Sequence, residues 1–397
     1  MAGETNTESD VKSWGDLLNP MAMATRHQIG LLGLLVLFVV PLVAPPINTL
    51  HLTGALFFAT FVMSWDVVSG YTGEISFGHG LFFGVGGYAA GMANLHLGIN
   101  PWVAVPIGAV AAAAAGLLIG FPSLRLKGPY FSLVTLVTPI IVISIFRFFP
   151  NLTGGELGLV SVGSVEKFPA IGPIPSPGFD VVTGFYLALA VFLLALVVFL
   201  AVTRSDAGMV LTAIRDDEVA VAATGKNPAK FKLFAFLLSG FVGGLAGATY
   251  GFSVVGSFTV SELLALVISI EVIVAAILGG MGTITGAAIG GLFFYMLRTW
   301  LRNADVLPIP FTNTAVVLQI PIVNKPLGEF YFLIFAVITL GFLFYLPEGI
   351  VPRLVREARA RTGTNAGEPV ADGGATPLEA TLHAWLEDLR DIARRYR

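Results

Sequence analysis

Residues 263–291 read LLALVISIEVIVAAILGGMGTITGAAIGG. The run is apolar, is broken once by a carboxylate, Glu271, and then by closely spaced glycines. A bilayer core is crossed by about 20 mostly apolar residues in a helix. An ionisable group inside such a run is costly enough to mark a functional position. Glycines in this setting either let helix backbones approach closely or break a helix beside a substrate path. The stretch therefore sets the class: an all-α integral membrane protein.

Working outward, the whole chain fits that class. It has 397 residues, 55% hydrophobic and only 12% charged, whereas soluble domains carry about 25% charged residues. Ten apolar segments read as membrane helices, at about 30–46, 47–69, 76–97, 101–124, 129–149, 181–203, 231–252, 262–278, 284–301 and 330–346. The 29 residues before the first span hold Glu4, Glu8, Asp10 and Asp16, an acidic start unlike the basic n-region of a signal peptide, so the first helix is expected to stay. With the N-terminus placed inside, 17 of the 22 Lys and Arg fall on inside segments or the tail. Only Arg147, Lys167, Arg298, Arg302 and Lys325 lie on or near the outer side. The positive-inside rule then predicts both termini in the cytoplasm. The chain divides into a cytoplasmic segment at 1–29, a membrane domain at 30–346, a cytoplasmic loop within it at 205–230, and a cytoplasmic tail at 347–397. In the tail, Leu378, Leu382, Trp385, Leu386, Leu389, Ile392, Ala393 and Tyr396 recur at helical spacing and predict a short amphipathic helix that lies on the membrane, on a partner or on its own chain. Two outer loops, 150–180 and 302–329, are long and rich in Pro and Gly.

Several functions are excluded. A net charge of −3 argues against nucleic-acid binding, and the absence of cysteine removes disulfides and thiolate chemistry. The only Gly-Lys pair, Gly225-Lys226, is followed by Asn227, so no phosphate loop is present, and none of the five histidines belongs to a His-Glu-x-x-His zinc motif. No cofactor and no metal site is expected.

The glycine-rich segment 70–91, GYTGEISFGHGLFFGVGGYAAG, repeats the pattern of the opening stretch. Small-xxx-small spacing occurs at Gly80/Gly84, Gly87/Gly91, Gly240/Gly244, Gly243/Gly247, Gly247/Gly251, Gly282/Gly286 and Gly286/Gly290. These glycines are read as helix-packing positions, with a broken helix around Ser76 and His79 as the functional alternative. The tetrads Gly73-Glu-Ile-Ser76 and Gly282-Thr-Ile-Thr285 are alike, but both fall on one side of the predicted topology, which an inverted repeat would not give. Candidate path or buried polar residues are Glu271, Asp66, Ser76, His79 and Ser269. Glu271 reads either as a carboxyl bonded to Ser269 or to a neighbouring helix, as a path-lining group whose role an amide largely fills, or as a proton carrier.

The charge that the spans lack is concentrated at 213–232, AIRDDEVAVAATGKNPAKFK, with seven charged residues. The part up to Ala223 is helix-competent, Gly225 is a stop and Pro228 reinforces it. A short charged helix between two spans suits docking of a soluble partner, and Asp216, Asp217 and Glu218 are acids with no topological use, available to Arg or Lys of that partner.

The loop resembles the one that ABC importer permeases present to their ATPases, whose motif runs Glu-Ala-Ala-x3-Gly. Here Glu218-Val-Ala220 leads to Gly225, one residue longer. With GYTGEISFGHGLFFGVGGYAAG, PYFSLVTL, TGGELGL (153–159), SIEVIVAAILGGMGTITGAAIG and LPEGIVPRLVR, the chain from about residue 70 to 356 is similar to the branched-chain amino acid permease family, nearer its M-type than its H-type subunits. It departs from the family at Glu74, where a neutral amide is common. The resemblance implies an importer in which a second, paralogous permease shares the path, an external binding protein delivers substrate, and two cytoplasmic ATPases provide the drive. Arg215, Asp216, Asp217, Glu218, Ala220, Gly225 and Lys226 would then form the coupling loop. The same machinery serves urea, amides and other small polar solutes. The reading from a different class is an ion-coupled secondary transporter that uses Glu271.

Overall fold

The computed structural model describes residues 25–124, 129–159, 181–302, 306–308, 315–317, 319–320, 325–326, 330–346 and 349–362. The acidic N-terminal residues and the amphipathic pattern at 378–396 lie outside this set. The helices are α1 (Thr25–Val43), α2 (Pro46–Thr72), α3 (Gly80–Leu97), α4 (Pro101–Ser123), α5 (Pro129–Phe148), the single turn α6 (Pro150–Thr153), α7 (Val181–Thr203), α8 (Asp206–Asp216), α9 (Glu218–Ala223), α10 (Pro228–Tyr250) with a π-helical extension over Gly251–Val255, α11 (Val260–Leu263), α12 (Leu266–Gly279), α13 (Ile284–Arg302), α14 (Tyr331–Tyr345) and α15 (Ile350–Thr362).

The ten apolar segments all overlap helices, but the one at 262–278 is divided between α11 and α12, and the one at 76–97 becomes helical only from Gly80. Among the described residues, six helices are long and apolar enough to cross a membrane: α2, α4, α5, α7, α10 with its extension, and α13. Helices α1, α12 and α14 carry shorter apolar stretches. Among the described residues the fold is all-α apart from the 302–329 loop, where Val306–Pro308 (β1) pairs antiparallel with Ala315–Val317 (β2), and Gln319–Ile320 (β3) with Lys325–Pro326 (β4).

The chain forms two compact units, Met1–Thr49 and Leu50–Arg397. In the first, α1 exposes Leu32, Leu35, Phe38 and Leu42 along its length. It ends at the Pro45-Pro46 turn, where the N–H groups of Asn48 and Thr49 donate to the Pro45 carbonyl at 3.0 and 3.1 Å.

The second unit is built around α2, whose residues from Ala55 to Ser69 are buried. Helices α3, α4 and α10 pack closely on one another, and α12 packs on α13. Small residues make this possible. A Cβ at Gly86 of α3 would collide with the Gly244 backbone of α10, and one at Gly108 of α4 with the Gly86 carbonyl. The predicted packing glycines have neighbours of the same kind. A Cβ at Gly84 would collide with Leu264, at Gly247 with the Phe83 carbonyl, and at Gly91 it would stand 2.6 Å from Phe258. At Gly87 it would stand 3.0 Å from Leu263, at Gly243 3.3 Å from Phe82, and at Gly286 2.8 Å from the Gly279 and Gly280 carbonyls. In contrast, α5 leaves Tyr130, Leu133, Val137, Ile141 and Phe148 exposed. Its outward face carries a shallow hollow of about 380 Å³ lined by Ile140, Ile141, Ser144, Ile145, Phe148 and Phe149, with no charged group.

Three local features differ from the sequence reading. The charged segment is two helices, not one, because Asp217 adopts an extended conformation and its carboxylate accepts from the N–H groups of Val219 and Ala220 at 2.8 and 3.0 Å, capping α9. Residues 350–362 form a helix whose Arg353 donates to the Tyr345 carbonyl at 2.8 Å. The TGGELGL loop is fastened to the segment after α10, since Leu159 and Phe258 exchange backbone hydrogen bonds of 2.9 and 3.3 Å.

Candidate functional site

Two glycine breaks meet. The first separates α2 from α3 over residues 73–79. The second separates α12 from α13 over residues 280–283. Gly73 has φ +77° and Gly282 φ +81°, conformations that side chains disfavour. The buried Asp66 of α2 joins them: its Oδ1 accepts from the Gly282 N–H at 2.7 Å. Gly70 lies against the same turn, for a Cβ there would stand 2.6 Å from the Gly282 nitrogen. The similar tetrads starting at Gly73 and Gly282 therefore belong to adjoining breaks. The start of α15 joins them, since a Cβ at Gly349 would stand 2.6 Å from the Gly280 backbone.

The charged loop reaches into this junction. Arg215, near the end of α8, donates from Nη1 to the Gly70 carbonyl at 2.8 Å, and the same nitrogen lies 2.8 Å from where a Cβ of Gly282 would be. Lys232, on α10, is buried and donates to Glu74 Oε1 at 2.6 Å and to Glu218 Oε2 at 2.9 Å. One ammonium thus ties the first break, α9 and α10 together. The loop is seated on Val210, Ile214 and Val221, packed with Phe231. Gly225, at φ +84°, closes α9. Of the three acids expected to face a partner, Asp217 caps its own helix, Glu218 pairs with Lys232, and Asp216 is exposed. Ala220 and Lys226 are exposed too. So are two large apolar side chains, Met209 at 63% and Val219 at 69%, which a charge-based reading passes over.

The remaining polar candidates fasten the breaks from within. The Ser269 hydroxyl accepts from the Gly80 N–H at 2.9 Å, fixing the start of α3 to α12. At Ser76 the backbone does the bonding: its N–H donates to Ser69 Oγ at 3.1 Å and its carbonyl accepts from Trp65 Nε1 at 2.8 Å. His79 Nε2 lies 3.1 Å from Ser64 Oγ and 3.0 Å from Ser239 Oγ. Those hydroxyls donate to the Phe61 and Ser64 carbonyls, at 2.7 and 2.5 Å. Both hydroxyl protons are thereby used, so Nε2 carries the ring proton and donates. The ring also stacks on Phe61, with centroids 5.3 Å apart.

Glu271 stands apart from this group. It lines a cavity of about 160 Å³ with Phe58, Phe61, Phe83, Tyr250 and two cations, Arg298 and Arg302. Arg298, on α13, is ion-paired with it through Nη1 and Oε2, and its guanidinium lies 5.0 Å from the centre of the Tyr295 ring. The neighbouring-helix reading of Glu271 thus has a specific partner. That partner changes the expectation for an amide, which would leave a guanidinium without this counter-charge. Sequence reasoning counted Arg298 only as an outer charge, because residues 27 positions apart give no periodic signal of contact. It likewise missed Lys232 as a bridge, since its partner Glu74 lies 158 positions away.

Comparison with known proteins agrees with the helical architecture. The profile of a family described as "Branched-chain amino acid transport system / permease component" matches residues 49–324. The chain is 28% identical over 324 residues to the high-affinity branched-chain amino acid permease protein LivM of Escherichia coli, covering 76% of this chain and 69% of that protein. The corresponding Salmonella typhimurium LivM is 27% identical over the same shares. A probable LivM of Methanocaldococcus jannaschii is 27% identical over 293 residues, 68% of this chain and 78% of the relative. No solved structure matches the chain significantly. With the family profile covering well over half of its length and M-type subunits among its relatives, the chain belongs to the branched-chain amino acid transport permease family, in its M-type branch.

Proposed function

We propose that this chain is the M-type permease subunit of an ATP-driven importer for branched-chain amino acids. In this reading ten helices cross the plasma membrane and both termini are cytoplasmic. A paralogous permease completes the path, an external binding protein delivers substrate, and two cytoplasmic ATPases dock on the 205–230 loop. The chain is not itself an enzyme, because ATP is hydrolysed on those separate subunits.

One observation carries the reading: the charged loop is bonded, through Arg215 and Lys232, to the glycine break between α2 and α3. A loop that served only to keep positive charge inside would need no such ties. Exposed Met209 and Val219 give an ATPase an apolar anchor beside the charges of Asp216 and Lys226. Closure of the ATPases would move α8 and α9 as a body, because their apolar faces are seated against Phe231 at the start of α10. Arg215 would pass that motion to Gly70 and the Gly282 turn, and Lys232 would pass it to Glu74. Glycine at both breaks supplies the backbone freedom for two arrangements.

The test is uptake of labelled leucine, isoleucine, valine and urea by cells with and without this gene, together with ATPase pull-down from detergent. We expect uptake to need ATP and all partner subunits, and to survive an uncoupler while ATP is held constant. Met209→Ser combined with Val219→Ser is expected to reduce ATPase recovery about tenfold, as loss of interface anchors does. Uptake by this chain alone that collapses with the proton gradient at constant ATP would establish the secondary-transporter reading instead.

A further inference from the structure

The helix α15 has features that the coupling reading does not use. Its 13 residues, IVPRLVREARART, hold four arginines and one glutamate. That is a net +3, in a chain whose own net charge is −3. Arginine recurs at 353, 356 and 359, and apolar residues at 350, 351, 354, 355 and 358 take the opposite face of a helical period. Residues 346–349 alone separate α15 from α14, an apolar helix that ends in the exposed aromatics Phe344 and Tyr345. Aromatic side chains at the end of an apolar helix mark the headgroup level of a membrane. Arg353 keeps α15 at that level, since its Nη1 donates to the Tyr345 carbonyl at 2.8 Å. The start of the apolar face is partly covered, because α15 packs on α12 and α13 and Ile350 and Val351 are half-buried. One turn further, Leu354 is 59% exposed, flanked by exposed Arg353 and Arg356. Glu357 pairs with Arg353 at 3.1 Å and still leaves the helix strongly positive.

We infer that α15 is a binding surface for anionic lipid of the cytoplasmic leaflet, and that lipid held there sets the second glycine break. The inference rests on the importer reading for its effect on transport and for the side on which α15 lies; lipid binding itself is read separately. A helix with arginines on one face and apolar side chains on the other lies in the plane of the interface, its apolar face at the boundary of headgroups and acyl chains. Lipid phosphates accept paired N–H bonds from guanidinium groups. Each arginine near an anionic leaflet strengthens attachment roughly fivefold. A leaflet offers acyl chains and anions together, which is what exposed Leu354, Phe344 and Tyr345 beside charge of one sign require. The consequence for transport lies at Gly349. This residue is buried, has φ +88°, and a Cβ there would stand 2.6 Å from the Gly280 backbone. Two residues on, Gly282 is bonded to Asp66 and lies beside Arg215. A helix held on the leaflet therefore fixes one wall of the same break that the charged loop reaches.

The test uses the complete transporter in vesicles of phosphatidylcholine, with or without phosphatidylglycerol, each lipid also supplied in a photoactivatable form. Labelling of the 350–362 segment is read by mass, and ATP-driven uptake of labelled leucine is expressed per complex. Phosphatidylglycerol is expected to label the segment about tenfold more than phosphatidylcholine, and high salt to shrink that excess by screening. Arg356→Gln combined with Arg359→Gln is expected to lose most of the excess, and Arg356→Lys combined with Arg359→Lys to keep it. Both variants spare Arg353 and its bond to Tyr345. Uptake by the wild type and the lysine variant is expected to rise with phosphatidylglycerol, while the glutamine variant stays at the phosphatidylcholine rate. Equal labelling by the two lipids, or an excess that the glutamine variant keeps, overturns the lipid site. A segment shielded from both lipids and cross-linked to an ATPase subunit overturns it in favour of that partner. If the glutamine variant does not assemble, the lipid and salt comparisons on the wild type decide alone. Lipid-specific labelling with uptake indifferent to phosphatidylglycerol overturns the link to the Gly280 break. Leucine uptake that persists without ATP overturns the importer alone, since labelling still reports the lipid.

Discussion

Two buried charge clusters use the same chemistry to different ends. Lys232, with 4% of its side chain exposed, holds Glu74 and Glu218, which belong to different segments. Arg298 is ion-paired with Glu271 at the edge of a cavity that Arg302 also lines. The first is a three-way tie with one cation for two anions and lies among packed elements. The second stands beside empty space. A buried ion pair is weak evidence of stability, because desolvation offsets much of the attraction. What distinguishes the clusters is what each joins: separate chain segments at the first glycine break in one case, the wall of a cavity in the other.

The largest effect expected from this difference follows loss of the shared cation. Lys232→Met leaves two carboxylates facing each other at the first glycine break. Breaking a buried pair costs about 3–5 kcal/mol, and the Glu218 half contributes less because that side chain is 38% exposed and screened by solvent. We expect the membrane level of the chain to fall, and uptake per remaining chain to drop about tenfold or more, since each 1.4 kcal/mol is a factor of ten. Lys232→Arg keeps the charge and is expected to recover part of both. Immunoblotting with labelled-leucine uptake measures them. Wild-type level and rate in Lys232→Met would show that the cluster joins nothing that matters.

Next in size is Arg215→Ala. From sequence alone this residue belonged with the docking charges. Its bond to the Gly70 carbonyl turns it inward, so docking and coupling separate. A hydrogen bond from a charged donor is worth about 1.5–3 kcal/mol. The variant is expected to insert normally and recover its ATPases in pull-down, while hydrolysing ATP with little uptake. Loss of ATPase recovery equal to that of the Met209→Ser, Val219→Ser variant would return Arg215 to the docking face.

These cases also show how much of the molecule was legible in the sequence. The apolar segments are legible because an apolar helix declares itself by a continuous run; six of the described helices are long and apolar enough to cross a membrane, and the break that divides 262–278 into two helices was not foreseen. Gly225 and Pro228 mark the end of α9 and the start of α10 for the same local reasons. The split at Asp217 was not legible, because a side-chain cap competes with helix continuation at a single residue and leaves no periodic trace. Nor were the partners of Glu271, Lys232 and Asp66, which come from long-range packing. Helix burial was hidden as well. The enclosed α2 is less apolar than the largely exposed α5, since helices packed on protein use small and polar residues where those facing lipid use large apolar ones.

A smaller effect is expected at Glu74, the other carboxylate of the three-way tie. Glu74→Gln removes one of the two carboxylates, and Lys232 keeps Glu218. Uptake is expected to stay within about twofold of wild type, whereas Glu74→Gln with Glu218→Gln removes both counter-charges and should approach Lys232→Met, a non-additive pair as expected for residues sharing one partner. Simple addition of two small effects would mean that the carboxylates act separately and that Lys232 does not link them.

The smallest effect is expected at a third ion pair, Arg147 with Glu156, whose geometry alone resembles the others. The N–O distance is 3.0 Å, but the side chains are 54% and 79% exposed. Water solvates both partners before and after the pair forms, so the Coulombic gain is small, and ordering two long side chains offsets it. Arg147 also stands in the last turn of α5, where a cation is favoured with or without Glu156. Glu156→Gln is therefore expected to shift stability by no more than about 0.5 kcal/mol, read as the thermal midpoint of the purified transporter at low and high salt. Leucine uptake should match wild type, because this pair adjoins neither glycine break nor the Glu271 cavity. A drop in midpoint comparable to that of Lys232→Met would show that burial is not what separates the clusters. The TGGELGL loop, held to Phe258 by two backbone hydrogen bonds, would then depend on a surface charge after all.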